Sequence, residues 1–85
     1  MPWTVARSDR AEKSLKGIPA GERIRIVAAL DTMRSDHLLG DVKKLKGMGA
    51  FRRRVGSYRI IFDLDFKMRV VRILDVLRRT TTTDR

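Results

Sequence analysis

Cysteine is absent from the 85 residues, which removes both a disulfide framework and a thiolate metal site and leaves the redox compartment open. There is one histidine and no dense group of carboxylates, so no metal site is readable and no cofactor is expected. No stretch approaches the ~20 apolar residues of a membrane span. The opening residues Met1-Pro2-Trp3-Thr4-Val5 hold no apolar run long enough for a signal peptide, and a cytoplasmic protein is expected by default. No internal repeat is visible. Acidic residues are scarce: 10 Asp and Glu stand against 20 Lys and Arg, for a net charge of +10 and a pI near 11.3. That excess favours a polyanionic partner, whether nucleic acid, an anionic membrane surface or an acidic protein.

What is present suffices for one domain. Hydrophobic residues make up 42% of the chain, which argues for a folded core, although a chain this short buries a modest share of its surface. Residues 3–8 read as a strand, and Ser8 has the chemistry of a helix N-cap. Residues 9–16 read as a helix with Ala11 and Leu15 inward, ended by Gly17-Ile18-Pro19. A second helix is expected from Ala20 to about Ser35, with Ile26, Val27, Leu30 and Met33 as its apolar stripe. Residues 36–49 read as irregular. Three β runs follow, over residues 50–55, 58–64 and 69–77, the first two joined by Gly56-Ser57. The expected architecture is therefore α+β in the order β-α-α-β-β-β, an antiparallel sheet with the N-terminal helix hairpin on one face. Residues 1–79 form a single domain, and residues 80–85, with four consecutive threonines, are expected to form a flexible tail.

The two-residue turn sets which side chains share a face. Val55 is expected opposite Tyr58, Arg54 opposite Arg59, Arg53 opposite Ile60, Arg52 opposite Ile61 and Phe51 opposite Phe62. Alternation then places Phe51, Val55, Tyr58, Ile60 and Phe62 on one face with Arg53, which is expected to snorkel at its edge. Arg52, Arg54, Arg59 and Ile61 fall on the other. Arg54 facing Arg59 is a like-charge pair that an anion would relieve. Between Val42 and Phe62 stand seven cations (Lys43, Lys44, Lys46, Arg52, Arg53, Arg54 and Arg59) and no carboxylate. Guanidinium forks match phosphate in two-point contact.

Three segments, Asp41-Val42-Lys43-Lys44-Leu45-Lys46-Gly47, Phe51-Arg52-Arg53-Arg54-Val55-Gly56-Ser57-Tyr58-Arg59-Ile60-Ile61-Phe62 and residues 70–79, together resemble the RelE branch of the RelE/ParE toxin superfamily. The β-α-α-β-β-β order extends the resemblance over nearly the whole chain. The resemblance implies the toxin of a type II toxin–antitoxin pair, one that enters the ribosomal A site and cuts mRNA there without a metal. In that reaction the 2′-hydroxyl attacks the adjacent phosphate and leaves a cyclic phosphate. It implies catalytic roles for Arg52, Arg54, Arg59 and Arg79, with Lys43, Lys44, Lys46 and Arg78 as RNA or phosphate contacts. A RelB-like antitoxin, with an acidic segment covering the arginine face, is the implied protein partner. Arg52 and Arg54 stand where the best-known members carry lysine, and the position of the family's C-terminal tyrosine falls at or beyond Arg85.

Arginine stays protonated, so a general base must be sought elsewhere. His37 reads as a solvated loop histidine. Asp63 falls on the arginine face by parity but is expected to pair with Arg72 or Arg59. Asp75 is ambiguous, since the register of the last strand is open. Two other functions remain in view: a gyrase-inhibiting toxin of ParE type, and a catalytically weak module that binds RNA and antitoxin.

Overall fold

Ser8 organises the first helix and ties it to the sheet. Its hydroxyl accepts from the Ala11 N–H at 3.0 Å and donates to the Leu74 carbonyl at 2.8 Å. In the computed structural model, which describes residues 3–36, 40–47 and 49–78, strand β1 (Thr4–Arg7) leads through this cap into α1 (Asp9–Lys16). Asp9 and Glu12 in the first turn and Lys13 and Lys16 in the last complement the helix dipole. Helix α2 (Ala20–Thr32) starts directly after Pro19 and buries Ile26, Ala29 and Leu30. It stops short of residue 35, and Met33 is buried just past its end.

Four further strands follow: β2 (Asp41–Leu45), β3 (Ala50–Val55), β4 (Tyr58–Asp65) and β5 (Val70–Arg78). The sheet order is β1-β5-β4-β3-β2. The α+β class and the helix pair are as expected, but two details differ. The segment read as irregular contains β2, so the sheet has five strands. It is also mixed, because β1 pairs parallel to β5 while the other pairs are antiparallel. Strand β2 was hidden because Val42 and Leu45, its two apolar residues, are three apart and so break the alternation. A lysine-rich strand of this kind suits a sheet edge. The β1–β5 pairing joins the two ends of the described chain, and no local pattern reports it.

Both helices cover one face of the sheet. Ala11, Leu15, Ile18, Ile26, Ala29, Leu30 and Met33 pack there against Tyr58, Ile60, Phe62, Val71, Ile73 and Val76. Phe51 stacks on Phe62 with ring centroids 5.4 Å apart. The β3–β4 hairpin has the expected register at all five pairs. Gly56 opens the turn at φ 57°, the left-handed region glycine enters without a Cβ penalty. A bulge interrupts the β4–β5 register: Ile61 faces Asp75 and Phe62 faces Ile73, leaving Leu74 as the extra residue. This resolves Asp75, whose carboxylate accepts from the Ser14 hydroxyl at 2.6 Å and from the Val76 N–H at 2.7 Å.

Candidate nucleic-acid interface

The face of the sheet turned away from the helices is assembled row by row. Nearest the hairpin turn, the register aligns Asp41 of β2, Arg54 of β3, Arg59 of β4 and Leu77 of β5. The next row on that face brings Lys43 beside Arg52 and Ile61. Strands lie about 4.8 Å apart and same-face residues about 7 Å apart along a strand, so Arg52, Arg54 and Arg59 start from one small patch of backbone. Arg52, Arg54, Arg59 and Lys43 thus share one open surface with Asp41.

Asp41 touches two of these arginines. Arg52 donates from Nη1 to the Asp41 carbonyl oxygen and to Oδ1, both at 3.2 Å. Arg54 Nε lies 3.9 Å from Oδ2, beyond hydrogen-bond reach, and is buried with no hydrogen-bond partner among the described residues. The Arg52 side chain is 14% exposed, Arg54 34% and Asp41 55%, so the carboxylate sits at the accessible rim and the guanidiniums lie lower. Neighbouring guanidiniums held this way can grip the oxygens of one phosphate.

Other expected residues fall elsewhere. Asp63 is engaged two strands from β2: Arg72 donates to it from Nε at 2.7 Å and from Nη2 at 3.0 Å. This hydrogen-bonded pairing raises the Arg72 pKa. Lys44 pairs with Phe51 and Arg78 with Tyr58, which puts both on the helix side of the sheet, away from the arginine patch. Lys46 is exposed in the turn after β2. His37, Arg79 and the 80–85 tail lie outside the described residues.

Arg53 departs from its expected place. It is only 9% exposed, so it does not snorkel into solvent. Its Nη1 donates to the Ala29 carbonyl at 3.0 Å and to Thr32 Oγ1 at 2.9 Å. Helix α2 has no basic residue in its last turn, and Arg53 supplies that cation from the sheet. Desolvation lowers the Arg53 pKa and the charge of Asp36 partly opposes the shift; the group remains charged. Gly40, at φ 90°, passes so close that a Cβ there would lie 3.1 Å from Arg53 Nε.

The residue sequence reasoning missed is Asp41. It lies one position outside the carboxylate-free stretch from Val42, and only the β2–β3 register carries it onto the arginines. An edge strand with a single inward-facing apolar residue left no signal that would have found it.

The fold and face define a two-layer α+β domain with an arginine-lined sheet surface. No protein-family model and no curated protein sequence matches the chain. Solved structures do match, and the domain is RelE-like. The RelE–RelB complex from Pyrococcus horikoshii superposes with a TM-score of 0.84 at 28% identity, covering 95% of this chain and 99% of that one. The RelBE2 toxin–antitoxin complex from Mycobacterium tuberculosis gives 0.84 at 27% identity, over 93% and 100%. The isolated RelE toxin of E. coli shares the fold, with a TM-score of 0.78 at 18% identity over 95% and 88%.

Proposed function

We propose that this protein is the toxin of a type II toxin–antitoxin pair and acts as a ribosome-dependent endonuclease on mRNA. The observation that carries the reading is the patch formed by Arg52, Arg54 and Arg59 on the open sheet face. On this reading a scissile phosphate seats on the three guanidiniums, with Lys43 beside them. They neutralise the charge that builds on phosphorus oxygens as the RNA 2′-hydroxyl attacks, an electrostatic contribution worth about 10²–10³ in rate per well-placed donor. Arg79 joins them by its match to the family pattern. The protein works in the cytoplasm, and a RelB-like antitoxin with acidic residues masks the patch.

Induced expression in cells, with Arg52, Arg54, Arg59 and Arg79 replaced singly by Ala, tests the reading. Growth arrest with mRNA ends carrying a cyclic phosphate is expected for the natural protein, with large losses in the variants. Unchanged growth inhibition in all four variants would sink the assignment of the site. Gyrase-linked DNA breaks with intact mRNA would sink the endonuclease reading itself.

A further inference from the structure

A site built from arginines can hold a phosphate and stabilise a transition state, but it cannot remove a proton. Resting on the endonuclease reading, we propose that Asp41 is the general base that takes the proton of the attacking 2′-hydroxyl. Among the described residues it is the only carboxylate seen in contact with the patch. Asp63 is held by Arg72, Asp75 receives the Ser14 hydroxyl, and Asp65 receives the Met68 N–H at 3.0 Å. Asp41 is the one that remains at an exposed rim, on the edge strand, with its carboxylate aimed at the guanidiniums that would bind the phosphate.

In the free protein Asp41 serves Arg52 and Arg54 as a counter-ion. The hold is loose: 3.2 Å to Arg52 and 3.9 Å to Arg54. A phosphate entering the patch competes for both guanidiniums and leaves the carboxylate beside the bound nucleotide, free to accept a proton. The proton of the 2′-hydroxyl passes to Asp41 as O2′ bonds to phosphorus. The bond from phosphorus to the 5′ oxygen of the next nucleotide breaks, giving a 2′,3′-cyclic phosphate. The departing 5′ oxygen takes a proton from solvent water, and Asp41 returns its proton to solvent, so the exchange balances with no added reactant.

The test uses the full-length protein and mRNA-programmed ribosomes. Single-turnover cleavage is compared for the natural protein, Asp41→Asn and Asp41→Glu. Affinity is measured in parallel with an mRNA carrying a 2′-deoxy nucleotide at the cut position, which binds but cannot react. For Asp41→Asn the expected result is a cleavage rate lower by about 10²–10⁴-fold with affinity unchanged or tighter, because a counter-ion has been removed. Asp41→Glu should recover part of the rate. Retained affinity in Asp41→Asn also shows that the variant is folded. Cleavage by Asp41→Asn at or above the natural rate would overturn the proposal and leave Asp41 as a counter-ion only. Loss of affinity in step with loss of cleavage would overturn it as well, by showing a structural role. Should the natural protein leave ribosome-bound mRNA uncut, the endonuclease reading fails first and takes this inference with it.

Discussion

Arg53 lies between two arginines of the patch and should behave as neither of them does. Arg53→Met keeps a long side chain in the buried site and removes both hydrogen bonds to the end of α2. A hydrogen bond from a charged donor contributes about 1.5–3 kcal/mol, and a cation at a helix C-terminus up to about 2 kcal/mol in a partly buried setting. Against these stands relief of guanidinium desolvation, which can offset most of the gain from a buried charge. The Ala29 carbonyl keeps the Thr32 hydroxyl as a donor, at 2.6 Å, which limits the loss. The net expectation is a destabilisation of about 2 kcal/mol. For a domain of this size that lowers Tm by roughly 8–16 °C. Thermal and urea unfolding of purified protein measure it, and at a temperature where the variant is folded its cleavage rate should match that of the natural protein. A melting temperature equal to or above the natural one would refute the argument, since it would mean that the contacts to Ala29 and Thr32 do not outweigh desolvation. A stable variant with no cleavage would refute the separation of faces.

Ser8→Ala loses a helix cap and a tie to β5, and urea unfolding should show a cost of about 1–2 kcal/mol; Ser8→Asp, which can cap but cannot donate to Leu74, should recover roughly half. Gly56→Ala should cost about 1 kcal/mol by the same measurement. The nearest atom to the added Cβ is an Arg25 guanidinium nitrogen at 3.6 Å, so the strain comes from φ and not from crowding; an unshifted midpoint would contradict the turn assignment. If Arg52, Arg54 and Arg59 share one phosphate and Lys43 neutralises a second, binding to single-stranded RNA should fall with a log–log salt slope of about −1.4, made shallower by about 0.7 in Lys43→Ala. Fluorescence anisotropy across a salt series reads both. Cognate antitoxin at 100 times its Kd should add about 2.7 kcal/mol of stability, and an unchanged Tm would argue against binding to the folded toxin.

Features governed by short-range geometry were legible in the order of the residues. Ser8 caps α1 because its hydroxyl is three residues from the amide it serves. The β3–β4 register follows from a two-residue turn with a glycine able to take positive φ, and alternation then separates Arg52, Arg54 and Arg59 from Arg53. Features that depend on elements distant in the chain emerged only from their packing. Arg53 could be assigned to the apolar face, but its burial needed the end of α2 overhead and Gly40 passing beside it. Lys43 and Arg78 were equivalent as charges until pairing with β3 and β4 sent them to opposite sides. Asp41 reached the patch only because β2 adds to the sheet edge. That pairing rests on backbone hydrogen bonds, which almost any side chain permits, so the chain carries little local trace of it. The arginine patch was therefore legible in the sequence, while the carboxylate that completes it was not.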